Sequence, residues 1–126
     1  MRIGDLATEA GVTPRTIRYY ESMGLMEESP RSPGAFRRYT QQDVERLRKI
    51  DALKKLGLDL EEIRSVIGLY FSDPTGIRGK EKVLAILHKH LEEVDSKLAA
   101  LKGFRKDLLS NIERMEELLR KANAGG

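Results

Sequence analysis

Between Leu84 and Leu119, apolar residues recur at alternating steps of three and four: Leu84, Leu87, Leu91, Val94, Leu98, Leu101, then Leu108, Ile112, Met115 and Leu119. Arg105 fills the remaining position, so ten of the eleven seam positions are apolar. A 3.5-residue repeat sustained over about five heptads predicts a coiled coil. A straight helix over this stretch spans roughly 54 Å, longer than a small domain is wide. The rest of so short a chain cannot cover a seam of that length. The same helix from a second copy can, and the pattern predicts a homodimer through residues 84–119.

Upstream, the spacing is that of short globular helices. Ile3, Leu6, Ala7 and Ala10 give a first helix one apolar face. Gly11 supplies the turn. Thr13 is suited to the N-cap of a second helix and Pro14 to its first position. Gly24 ends that helix after about Met23. Ile17 and Tyr20 face inward, which leaves Arg15, Arg18, Tyr19 and Ser22 on the outer face. Helix, glycine turn and capped helix make up the helix-turn-helix plan, whose second helix enters the DNA major groove. Arginine suits guanine edges and phosphates. An ordinary amphipathic surface helix is the alternative.

In PRSPGAFRRY, Pro33-Gly34 sits between two short extended pieces, the signature of a hairpin. Arg31 falls on one arm and Phe36, Arg37, Arg38 and Tyr39 on the other, as in a basic wing laid along a DNA backbone, or in an exposed loop with solvated arginines. Thr40 and Asp43 open a third helix to about Leu56, burying Val44, Leu47, Ile50 and Leu53. Gly57 breaks it, with Lys54 and Lys55 at the corner as candidate phosphate ligands. Asp59 and Glu62 form a capping box for a fourth helix with Leu60, Ile63, Ile67 and Tyr70 inside. The reading is therefore mainly α. Residues 1–71 form a winged helix-turn-helix DNA-binding domain with a small β-hairpin wing. Residues 72–79 (SDPTGIRG) are a hinge, 80–121 a coiled-coil dimerisation helix and 122–126 a frayed tail.

Composition sharpens this picture at few points. Aromatic residues are only 6 % of the chain, so a dimer interface is a sensible source of burial. The net charge of +3 is unevenly placed. Residues 1–58 hold 11 Lys+Arg against 8 Asp+Glu, whereas 59–126 hold 12 of each. That is the balance of a chain with one nucleic-acid-binding end. The chain has no cysteine, which excludes disulfides and thiolate metal sites. No apolar run reaches membrane-spanning length and no signal peptide is visible, so a cytoplasmic protein with no membrane partner is expected.

The stretches IGDLATEAGVTPRTIRYYESMGL, PRSPGAFRRYTQQDVERLRKI and LKKLGLDLEEIRSVI occur in order, and their motifs and spacing resemble those of the MerR family of bacterial transcription regulators. The resemblance covers the first 70 residues by motif and the remainder by architecture. It implies a dimer with antiparallel long helices on a palindromic promoter operator. It also implies bending and untwisting of an overlong promoter spacer in response to an effector, so that RNA polymerase can engage. By position, Thr13 falls at the start of the recognition helix and Arg15, Arg18 and Tyr19 along it. Arg31, Phe36, Arg37 and Arg38 fall on the first wing, and Lys54 and Lys55 on the second. Most members carry tyrosine where this chain has Phe36, which removes one phenol that would reach phosphate.

Metal-sensing members use cysteines, so a mercury, copper or gold sensor is not expected, and neither is a cofactor. His88 and His90 point to different sides of a helix and cannot chelate one ion within a chain. A small-molecule effector is a candidate ligand where Tyr70, Phe71 and Ile77 lie, unless these are packing residues. The rival readings are an excisionase-type architectural factor, which seldom has so long a coil, a coiled-coil scaffold, and an enzyme. Nothing in the chain groups a nucleophile, a base and an acid.

Overall fold

The computed structural model describes residues 1–27 and 38–125. Within them the chain forms five helices: α1 (Ile3–Ala10), α2 (Pro14–Ser22), α3 (Gln41–Lys55), α4 (Leu60–Ser72) and α5 (Ile77–Gly125). The mainly α fold class is as expected. The hairpin wing, with Arg31, Phe36 and Arg37, lies outside the described residues. Two compact units divide the chain, residues 1–87 and residues 88–126.

In the first unit α3 packs against both α1 and α4, and α1 packs against α2. Leu6, Ile17, Val44, Ile50, Ile63 and Val66 are completely shielded from solvent. Each aliphatic side chain buried in this way contributes about 1.5–3 kcal/mol. α3 is central because its 15 residues place Val44, Leu47, Ile50 and Leu53 on one side, at spacings of three. The Asp43 carboxylate accepts the Thr40 N–H at 2.8 Å and so closes the first turn of α3. α4 begins with the reciprocal cap expected from the sequence: Glu62 N–H donates to Asp59 at 2.8 Å, and Asp59 N–H donates to Glu62 at 3.0 Å. On α4 the fully buried residues are Ile63, Val66 and Ile67, while Leu60 and Tyr70 are only half-buried.

α5 starts at Ile77, so Ile77, Arg78 and Gly79 of the segment read as a hinge form its first turn. Asp73 sets this start. Its carboxylate accepts the Thr75 hydroxyl at 2.7 Å, the Thr75 N–H at 3.1 Å and the Arg78 N–H at 3.2 Å. Three donors converging on one carboxylate favour its charged form and hold its pKa below the ordinary aspartate value. Beyond the cap, Gly79 and Val83 are buried in the first unit, with Ile86 and Leu87 packed partly against its core.

The second unit is helix throughout its described residues, and the NAGG segment read as frayed is helical to Gly125. From Leu91 onward every described side chain is exposed. Leu91, Val94, Leu98, Leu101, Leu108, Ile112, Met115 and Leu119 are each between 44 % and 63 % exposed. They are joined by Phe104, Leu109 and Leu118, which the 3–4 spacing passes over. An apolar stripe of this length with nothing packed on it has no source of stability in its own chain beyond helix propensity.

Candidate nucleic-acid interface

The geometry of the outer face of α2 is set by the turn before it. Gly11 adopts a left-handed conformation, φ +72°, which a side chain would strain. Val12 N–H then reaches back to the Ala7 carbonyl at 3.0 Å and ends α1. The Thr13 hydroxyl accepts the Thr16 N–H at 3.1 Å and caps α2, with Pro14 at the next position. Thr13 is thus engaged as a cap, and its hydroxyl also lies 3.0 Å from that of Thr16.

Ile17 and Tyr20 anchor α2 in the core. Three-residue spacing on a helix then obliges Arg15, Arg18 and Tyr19 to face outward, and all three are exposed. Tyr19 is 51 % exposed. Among the described residues, neither arginine is paired with a carboxylate. Two guanidinium groups one helical turn apart on the outer face of a short capped helix, without a carboxylate partner among the described residues, match the requirements of a groove-reading face. Ser22 spends its hydroxyl on the Tyr19 carbonyl, at 2.6 Å.

The segment that carries the predicted wing leaves and re-enters the core at fixed points. Leu25 and Met26 are buried on the outgoing side, and the Arg46 Nε donates to the Leu25 carbonyl at 2.7 Å. On the returning side Tyr39 is buried. Its N–H donates to the Met1 carbonyl at 2.7 Å, its carbonyl accepts the Met1 amine at 3.1 Å, and its hydroxyl donates to Glu21 at 2.8 Å. Arg38, immediately before it, is exposed. The N-terminus, α2 and the end of the wing segment are thereby tied together through one tyrosine. Arg46 thus fixes the outgoing side of this segment to α3, and Tyr39 fixes its returning side to α2 and the N-terminus, roles that local sequence spacing does not announce. An arginine on an α3 face and a tyrosine after an arginine pair carry no spacing signal for them.

At the α3 corner, Lys54 Nζ lies 3.4 Å from the Tyr20 hydroxyl, a long hydrogen bond from a side chain that remains exposed. Lys55 pairs with Asp51 at 3.0 Å on the surface. Tyr70 and Phe71 take part in packing. Lys49 Nζ stands 4.4 Å from the centre of the Tyr70 ring, and the Arg46 guanidinium 5.3 Å from that of Phe71. Ile77 is 56 % exposed. No group of three or more His, Asp or Glu side chains that could hold a metal ion occurs among the described residues. Among the described residues no helix is long and apolar enough to cross a membrane.

Known proteins with this arrangement agree with one another. The chain matches the model of the MerR HTH family regulatory protein over residues 1–68 and that of the MerR DNA-binding region over residues 44–110. It is 40 % identical over 107 residues to the HTH-type transcriptional regulator ZntR of Escherichia coli K12, covering 85 % of this chain and 74 % of that protein. It is 35 % identical over 116 residues to the mercuric resistance operon regulatory protein of Bacillus cereus, covering 92 % and 86 %. Among solved structures, the transcription regulator PbrR691 of Ralstonia metallidurans CH34, in complex with lead(II), superposes with a TM-score of 0.67. That match is at 33 % identity and covers 87 % of this chain and 84 % of the other. The chain belongs to the MerR family of helix-turn-helix regulatory proteins and is a DNA-binding transcription regulator.

Proposed function

We propose that the protein works as a homodimer joined through residues 84–119 and binds an inverted repeat in promoter DNA. In this reading each α2 enters a major groove, with Arg15 and Arg18 on base edges or phosphates and Tyr19 beside them. Thr13 presents the helix start. Arg31, Phe36, Arg37 and Arg38 follow the backbone on one flank, and Lys54 and Lys55 on the other. Two reading heads joined by one coil impose a half-site separation. An effector-driven change in that separation must be absorbed by the DNA as bending or untwisting, at a cost of a few kcal/mol. A change of that size is enough to control whether RNA polymerase engages the promoter.

The observation that carries this reading is the coexistence of a solvated apolar stripe from Leu91 to Leu119 with two unpaired arginines on the outer face of α2. The first needs a second copy and the second needs an anion. An effector acting through Tyr70, Phe71 and Ile77 would work on the join between α4 and the start of α5. Soft metal ions do not suit the role, because thiolate ligands are absent from these 126 residues.

Sedimentation and footprinting on the DNA upstream of the gene together test the proposal. A dimer protecting an inverted repeat inside an overlong promoter spacer is the expected result. A monomer, or a dimer indifferent to every inverted repeat, overturns it.

A further inference from the structure

Arg46 stands on α3, and its one guanidinium group serves two separate elements. Its Nε donates to the Leu25 carbonyl at 2.7 Å, and its central carbon lies 5.3 Å from the centre of the Phe71 ring. Leu25 follows the end of α2, and Phe71 belongs to the last turn of α4. Arg46 is half-buried, and among the described residues it has no carboxylate partner. A cation that gives up part of its hydration in this way is held by what remains, here a carbonyl and a ring face.

The Leu25 and Met26 N–H groups both donate to the Tyr20 carbonyl, at 2.9 and 3.3 Å, so this side of the junction is closed by α2 itself. The Leu25 carbonyl is taken by α3 instead. Among the described residues, the α2 backbone closely approaches that of α1 but not that of α3 or α4. Side chains therefore fix α2 against the rest of the head. Ile17 and Tyr20 do so through the core, and Lys54 through its long bond to the Tyr20 hydroxyl. Arg64 lies over Gly24, its Cδ 3.5 Å from a Cβ built there. Apolar packing resists separation but allows small rotations, whereas a short charge-assisted hydrogen bond also fixes direction.

The two contacts of Arg46 depend on each other. A planar guanidinium can donate in its plane while its face lies on a ring, which a lysine ammonium cannot do. A change at Phe71 therefore shifts the group that holds Leu25.

We infer that Arg46 is a positioning residue for operator recognition. With Phe71 behind it, it holds the end of α2 at the angle that sequence reading requires, although neither residue lies on the outer face of α2. This role rests on the reading of α2 as the helix that enters the groove.

Anisotropy titrations of full-length variants test it on two duplexes, one carrying the inverted repeat protected in the footprint and one of scrambled sequence. Thermal melts and sedimentation identify the variants that are folded dimers. Arg46→Lys keeps the charge, and Arg46→Met keeps the apolar stem. Each should lose about tenfold on the repeat, the worth of one charge-assisted hydrogen bond, and little on the scrambled duplex. The salt slope should stay that of the parent in both. A slope reduced by about one in Arg46→Met, with both duplexes weakened alike, makes Arg46 a phosphate ligand and overturns the positioning role. Phe71→Leu, on another helix, should show the same selective loss. Combined with Arg46→Lys it should be no worse than Arg46→Lys alone, because both break one bridge. Additive losses overturn the bridge, and this cycle stands even where Arg46→Met unfolds the head. Amide exchange in the free dimer gives a readout without DNA: Phe71→Leu should speed exchange at Leu25 and Met26, and unchanged exchange there overturns the bridge. A parent protein with no preference for the repeat fails at the earlier step, and overturns the DNA reading of α2 together with the role built on it.

Discussion

The Tyr70 ring lies so close to Gly79 that a Cβ built on the glycine would stand 2.7 Å from the ring edge. This contact joins the end of α4 to the first turn of α5 within the first unit, and the Lys49 ammonium approaches the same ring. Burial of the phenol raises its pKa above the ordinary tyrosine value, because the phenolate would be poorly solvated there.

The contact reverses the usual sign of a glycine-to-alanine change. Inside a helix, alanine in place of glycine normally stabilises by roughly 0.5–1 kcal/mol. At Gly79 the added methyl group meets a ring that is already packed, and overpacking costs about 1–3 kcal/mol. Gly79→Ala should therefore lower the midpoint of thermal unfolding measured by circular dichroism. Gly79→Ala combined with Tyr70→Ala should tolerate the methyl group, since the obstruction has gone. A Gly79→Ala protein more stable than the parent would show that the ring yields freely.

Asp73 should give the stability a defined acid dependence. Its folded-state pKa lies below the ordinary aspartate value because the Thr75 hydroxyl and the Thr75 and Arg78 amides donate to its charged form. A depressed carboxylate contributes stability that is fully present above the unfolded pKa and is lost as pH falls through the folded value. Asp73→Asn should thus be less stable than the parent at neutral pH. The gap should hold down to about pH 4 and close below it. Thermal melts of the two proteins from pH 7 to pH 2 check this, and a gap independent of pH would mean that the carboxylate charge is not what holds the start of α5.

Much of the first unit was legible in the sequence because its signals are local. The Asp59–Glu62 capping box, the Thr13-Pro14 helix start and the three-residue spacing of Val44, Leu47, Ile50 and Leu53 each depend on residues within a turn or two of one another. The role of Gly79 was not legible in this way. A glycine after Pro74 and Gly76 reads as hinge, whereas here it is a helical residue kept bare by a ring nine positions earlier. Val66 was passed over because α4 buries a face wider than one three-to-four stripe. Phe104 was passed over because a strict seam count sees only Arg105 beside it. Tyr39 was placed on the wing, yet its three tethers run to Met1 and Glu21, contacts between residues far apart in sequence.

The two classes of candidate DNA ligand should separate by their response to sequence and salt. Arg18→Ala should cost about 1–3 kcal/mol on the operator, relax sequence preference and leave the dimer intact. Lys54→Ala should weaken binding to operator and non-operator DNA alike and reduce the salt slope by about one. The surface pair with Asp51 makes Lys55 the weaker of the two lysine contacts, since that pairing must be loosened first. Fluorescence anisotropy titrations at several salt concentrations distinguish these outcomes. If Arg18→Ala binds operator as the parent does, α2 is not the reading helix.

Arg105 should trade stability against orientation. In the proposed dimer it occupies a seam layer between Leu101 and Leu108, where leucine would bury more apolar surface and no charge would need desolvation. Replacing a charged group in such a layer by an aliphatic one is often stabilising by about 1–4 kcal/mol. Arg105→Leu should therefore dimerise more tightly than the parent. The same change removes the strongest penalty on a parallel pair, because two leucines can face each other where two arginines cannot. The chain has no cysteine, so a nitroxide at an introduced Ser110→Cys, away from the seam, should show in this variant a second population in which the two labels have no axial separation, and binding to an inverted repeat should fall as that population grows. If Arg105→Leu dimerises more weakly than the parent, the arginine is making a net favourable contact across the seam and its role is adhesion; if it tightens the dimer with a single distance unchanged, the orientation does not depend on the arginine.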